Sequence, residues 1–314
     1  MPTFEPAVSD DLPADPVPAA APEHRRSLHR STGVDIAYRI SSARAAAGPP
    51  FVLLHGLASN LTRWSEFVEG TVLTQAHDMI RVDLRGHGDS PTRGAIGLEI
   101  WADDLAALLD QEGHARAVLV GHSLGAQLAL HFAGRHAQRV AGLVLIDPVF
   151  RQALHGRWRR IAAIGPLLRL AALCVRALNT LGLRRSRLRR LDLRELDRQA
   201  REALATPQAQ AAFIRQYSST LADLRSFHTA HYLQELVEMF RPVPAPESIG
   251  MPVLVLLSSG GTFADPARTQ GLVDRFPRGQ TVTIDCQHWP LTERPIEVRQ
   301  AIENWGAAFR SARP

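Results

Sequence analysis

The sequence predicts an α/β protein: a mostly parallel central sheet flanked by helices, carrying a helical insertion late in the chain. Three observations point there. Short apolar runs at 51–55, 79–84, 117–121, 141–146 and 252–257 read as strands buried on both faces, and they alternate with helical stretches. Residues 150–245 break that alternation with helical runs and no strand-like run. A Gly-His-Ser-Leu-Gly turn, residues 121–125, sits between one of the strands and an amphipathic helix.

The elements follow in order. Residues 1–26 are acidic and rich in Pro and Ala, without the basic start and apolar stretch of a secretory signal, and are expected to be a disordered leader. A turn at 29–33 followed by a strand over 34–40 reads as a hairpin. The strand at 51–55 ends at Gly56, and the one at 79–84 runs into a loop rich in Gly. Residues 98–109 have helical periodicity, and 124–135 form the helix that follows the glycine turn. After the insertion come a strand at 252–257, another at 280–284 and a closing helix over about 295–309. The expected core is therefore 27–149 plus 246–314, with a helical, Arg-rich cap over 150–245. The Pro-rich piece 241–247 marks the return to the core.

Composition narrows the chemistry. The 314 residues include 36 Arg and no Lys, which excludes mechanisms that need a lysine amine, such as Schiff-base or Walker-type catalysis. The net charge of +5 is unevenly placed: residues 151–201 hold 14 Arg against three acids, whereas the remaining chain is slightly acidic. A basic surface belonging to one segment gives no reason to expect nucleic acid as a partner. Cys174 and Cys286 make no disulfide framework, no Cys-x-x-Cys pair suggests a metal site, and no cofactor is expected. The most apolar stretch, 161–183, contains Arg169 and Arg176, each costing roughly 2.5–3.5 kcal/mol in a membrane span. A cytoplasmic protein is the resulting expectation.

Four motifs carry the functional reading. His55-Gly56-Leu57 follows the third strand; Asp83-Leu84-Arg85-Gly86-His87-Gly88-Asp89-Ser90 follows the fourth; Gly121-His122-Ser123-Leu124-Gly125 follows the fifth; and His288-Trp289-Pro290 follows the last. Glycines flanking Ser123 suit a sharp strand-to-helix turn that exposes a hydroxyl at a helix N-terminus, where the Leu124 amide points at a developing oxyanion. With these motifs in this order, residues 27–149 and 248–310 resemble the α/β-hydrolase fold superfamily. The resemblance implies a nucleophile at Ser123, a second oxyanion donor at the Leu57 amide and a general base at His288. For the acid that holds the base, the loop after the seventh strand offers Asp265, which is the expectation. Asp147, at the end of the sixth strand, is the alternative. His87 reads as a loop residue and Cys286 as buried structure. Trp64, His122 and Trp289 are the candidate substrate-binding residues, although each Trp reads equally well as core.

A serine nucleophile with two amide donors suits attack on a carbonyl, an acyl-enzyme and its hydrolysis. The expected activity is cleavage of a small or medium carboxylic ester. Lipid and thioester hydrolases, C–C bond hydrolases and cofactor-free perhydrolases of the same fold are alternatives, as is a non-catalytic ligand-binding protein. The insertion has two readings. The expected one is a cap helix packed on the core with a solvated Arg-rich turn at 184–190. The other is an interfacial helix that meets anionic lipid, with a lipid-like substrate. Oligomeric state is left open.

Overall fold

Glu23, inside the expected leader, begins the first strand of the sheet. A computed structural model describes residues 22–45, 47–183, 188–203, 217 and 219–309. β1 (Glu23–Arg30) and β2 (Val34–Ser41) form the expected hairpin, in register from Glu23 opposite Ser41 to Arg30 opposite Val34. Glu23 is held because its carboxylate accepts from Arg81 Nε at 2.6 Å and from Arg39 at 3.1 Å. Arg81 is buried, so the acid supplies the countercharge that a buried guanidinium requires. The strand therefore starts earlier than 27.

β3 (Phe51–Leu54), β4 (Met79–Val82), β5 (Ala117–His122), β6 (Val140–Ile146), β7 (Val253–Ser258) and β8 (Gly279–Ile284) complete the sheet. The spatial order is β1-β2-β4-β3-β5-β6-β7-β8, parallel from β4 onward, with β2 antiparallel to β4. Alternating side chains of β3 serve both faces, as the two-residue repeat of a strand requires. Val52 and Leu54 enter one core with Trp101 and Phe132, while Phe51 and Leu53 enter the other with Trp64, Val298 and Trp305. The first core lies under α2 (Leu98–Gln111) and α3 (Leu124–Arg135). The second lies under α1 (Ser65–Gly70) and the C-terminal helix, Pro295–Gly306.

Between β6 and β7 come the cap helices. The apolar run 161–183 is not one helix. It forms α4 (Gly156–Ala163) and α5 (Gly165–Thr180), bent by 64° at a break where Pro166 opens α5 without an amide proton to donate. α6 (Leu193–Ala203), a short α7 (Thr220–Asp223) and α8 (Thr229–Met239) follow. Residues 204–216 of the expected helical cap lie outside the described residues, as do Arg184, Arg185 and Arg187 and the first 21 residues. α9 (Pro266–Val273), α10 (Pro290–Glu293) and α11, the C-terminal helix just given, belong to the core. Among the described residues no single helix is long and apolar enough to cross a membrane.

Candidate active site

At the C-terminal ends of β3, β5 and β6 the backbone does something unusual. Ala58, Ser123 and Asp147 adopt φ of +48°, +52° and +48°, the non-glycine residues with positive φ among those described. Conformations of this kind cost of order 1–3 kcal/mol each and persist where the surroundings enforce them. At Ser123 the enforcement is visible. A Cβ on Gly121 would run into the Gly125 backbone, and one on Gly125 would run into the Leu54 carbonyl. The two glycines let α3 start against β3 and β5, which lifts Ser123 clear at the helix N-terminus.

Ser123 Oγ lies 2.9 Å from His288 Nε2, and His288 Nδ1 lies 2.8 Å from Asp147 Oδ2. Asp147 is fixed in turn by Ser258 at the end of β7, whose amide donates to Oδ1 at 2.8 Å and whose hydroxyl donates to Oδ2 at 2.6 Å. Burial would raise the Asp147 pKa, but the hydrogen bond and charge of His288, with the two Ser258 donors, hold it below the usual carboxylate value. An ionised acid behind a histidine sets the ring tautomer and stabilises its cation, which equips the ring to take a hydroxyl proton.

Asp265 does not take part. Its carboxylate caps α9, accepting from the Arg268 amide at 2.9 Å, with Pro266 in the first turn. The ring of Phe263, from the same loop, instead packs 4.1 Å from His288, centroid to centroid. The expectation for the acid is therefore corrected to Asp147, the alternative position.

The Leu124 amide opens α3, where helical N–H groups have no intrahelical acceptor and the dipole favours negative charge. Gly56, Leu57 and Ala58 line a cavity of about 390 Å³ together with Ser123, His122, Trp289 and His288. Cap residues Trp158, Tyr217, Tyr232 and Met239 enclose its other side. Trp64, also expected there, is fully buried in the second core against Phe67, so it holds up the fold and does not meet a ligand. Cys286 is buried in the same core, as read from the sequence.

The comparisons with known proteins agree with this fold. Residues 49–295 match the family model described as the alpha/beta hydrolase fold. The chain belongs to the α/β-hydrolase fold family. This α/β-hydrolase is 26% identical over 264 residues to the mouse sn-1-specific diacylglycerol lipase ABHD11, spanning 82% of this chain and 80% of that one. It is 36% identical over 108 residues to Lipase LipV of Mycobacterium tuberculosis, a match to 32% of this chain and 38% of the lipase. A thermophilic esterase from Thermogutta terrifontis superposes with a TM-score of 0.62 at 23% identity, covering 92% of this chain and all of that one.

Other groups in this α/β-hydrolase site carry no motif signal. Arg63 forms a buried ion pair with Asp197 of α6 and donates to Thr292 Oγ1 at 2.7 Å, tying the cap to the core. Glu235 of α8 is buried 3.1 Å from His87 Nε2, in charge contact though not aligned as a hydrogen bond. Burial lowers the His87 pKa, but the Glu235 carboxylate outweighs it and holds the ring above its ordinary value. His87 is therefore a buried packing element, beyond its reading as a loop residue. A lone Glu on the apolar side of α8 was the available clue.

The cavity wall combines aromatic and apolar side chains with His122, Arg63, Arg189, Asp223 and Arg225. His122 is driven down to about 3 by burial and by the neighbouring His288, so it is uncharged and donates from Nε2 to the His288 carbonyl at 2.9 Å. Asp223 is pushed up to about 7 by burial, with the Tyr232 hydroxyl opposing and the Glu235 charge adding. Arg63 has its countercharge in Asp197.

Proposed function

We propose that this chain is a serine hydrolase that cleaves a carboxylic ester through an acyl-enzyme on Ser123. The observation that carries the reading is the continuous hydrogen-bonded chain Ser123–His288–Asp147 opening onto the cavity. Ser123 Oγ attacks the ester carbonyl carbon while its proton passes to His288 Nε2. The oxyanion is received by the Leu57 and Leu124 amides. The C–O bond to the leaving alkoxide breaks, and His288 returns the proton to it. Water then attacks the acyl-enzyme carbonyl while His288 takes its proton, the bond to Ser123 Oγ breaks, His288 returns the proton to Oγ, and the acid product leaves. Asp147 stays ionised throughout.

The aromatic and apolar part of the wall, Trp158, Phe263, Tyr232, Met239 and Trp289, supports an apolar acyl or alkoxy group, and the volume suits a small ligand. The lipase relatives support an ester as the scissile group. A fluorophosphonate probe tests the reading: wild type is labelled covalently, and Ser123→Ala is not. Folded wild type that resists labelling would overturn it. A series of p-nitrophenyl esters of increasing acyl length then reports how much of the cavity the acyl chain fills.

A further inference from the structure

The cap turns its apolar side outward. Among the described residues, seven of the ten exposed large apolar side chains lie between Ile164 and Leu183. Leu167 is 63% exposed, Leu170 and Leu173 each 58%, and Leu181 77%. On α5 only Ala172 is buried, and the helix packs along α8. Soluble proteins scatter exposed leucines singly, and a concentrated patch of this kind marks a docking surface.

The charges around the patch select its occupant. Arg159 and Arg160 of α4 and Arg169 of α5 are exposed, and among the described residues none of them has a carboxylate within ion-pair distance. Arg157, also exposed on α4, lies over the Trp158 ring instead. A second copy of the chain would set this cationic patch against its own image, since 151–201 carries 14 Arg and three acids. An anionic lipid surface meets both features at once: leucines enter the acyl boundary while guanidinium groups stay among the headgroups. The 64° bend keeps α4 and α5 from crossing a bilayer as one straight rod. Trp158 of α4 lines the cavity on its inner side, so the docked helices border the route to Ser123.

We propose that the outer face of α4 and α5 docks the protein on membranes rich in anionic phospholipid. The proposal does not rest on the hydrolase reading, because docking is measured without turnover. The experiment is flotation of the full chain with phosphatidylcholine vesicles, with and without phosphatidylglycerol. Wild type is expected to float with the phosphatidylglycerol vesicles only, and less so as salt is raised. Leu170→Ser/Leu173→Ser is expected to lose about tenfold or more of that partitioning. Arg159→Gln/Arg160→Gln loses the preference for anionic vesicles. Circular dichroism melting of each variant checks that it folds, and Leu178→Ser/Leu181→Ser replaces the first pair should it not. Wild type that stays out of phosphatidylglycerol vesicles, or folded leucine variants that float as wild type does, would overturn the proposal. So would a vesicle-free dimer that the leucine changes convert to monomer, since a second copy would then cover the patch.

Discussion

The Glu235 carboxylate accepts a hydrogen bond from the Ala58 amide at 2.9 Å, so a helix of the cap holds a turn of the core. Ala58 follows Leu57 directly and is itself in the left-handed region. Fixing that turn fixes where the Leu57 amide points. Glu235→Ala is expected to lower kcat about 10- to 100-fold while KM changes little, because the oxyanion is stabilised in the transition state and not in the bound ester. Glu235→Gln, whose carbonyl oxygen still accepts from Ala58, should recover most of the loss. Steady-state kinetics on one p-nitrophenyl ester decides it. Equal losses in both variants would mean that the charge matters and the acceptor does not.

Asp147 and Asp265 should separate cleanly. Asp147→Asn is expected to cost about 10³- to 10⁴-fold in kcat, since an amide favours the wrong ring tautomer. Asp265→Asn should leave kcat within a few-fold, and Asp265→Ala should lower stability by about 1 kcal/mol through loss of the α9 cap. Kinetics with parallel urea melts read both effects.

The buried His87–Glu235 contact gives stability a pH dependence of known sign. The folded state holds His87 above the ordinary value of about 6.5, so it binds a proton that the unfolded chain releases sooner. The stabilisation is complete below about 6.5 and is lost as pH rises through the folded-state value. The melting-temperature difference between wild type and His87→Gln should therefore be largest near pH 6 and shrink above it. A constant difference would show that His87 does not titrate in this range.

Arg63→Ala should be costly and repairable. With both side chains buried, removing Arg63 strands the Asp197 charge, at about 3–5 kcal/mol. Arg63→Met/Asp197→Leu should recover most of that loss. Thermal melts report the total, and hydrogen exchange in α6 reports whether the cap loosens locally.

Much of this was legible before any coordinates. Strands buried on both faces spell continuous apolar runs, so β3 to β7 declare themselves in the sequence. Gly121 and Gly125 announce the turn because no other side chain fits there. The acid was not legible in the same way. Asp147 and Asp265 both follow sheet strands, and what decides between them is Ser258, a residue no motif marks. One signal was available: Asp265-Pro266 ahead of a helix is a capping pattern, and a carboxylate engaged there is not free for His288. Trp64 illustrates a different limit, since an apolar residue beside the site reads alike whether it faces a ligand or the core. α5 illustrates a third, because its apolar pattern is the same whether leucines face protein or solvent.

With the carboxylate carried on β6, the loop between β7 and α9 supplies no member of the Ser123–His288–Asp147 chain, though Phe263 packs on the His288 ring and Gly260 and Thr262 bond to Cys286 and Gln287 just before it. That loop also reaches the cap: the Thr262 carbonyl accepts from the Trp158 indole, and Ala264 bridges to Leu154. Substitutions at 259–264 can thus reshape the cavity without replacing any group of that chain, and those at Gly260, Thr262 and Phe263 are also felt at His288. For anyone retargeting this protein to a new ester, those six positions are the natural ones to randomise.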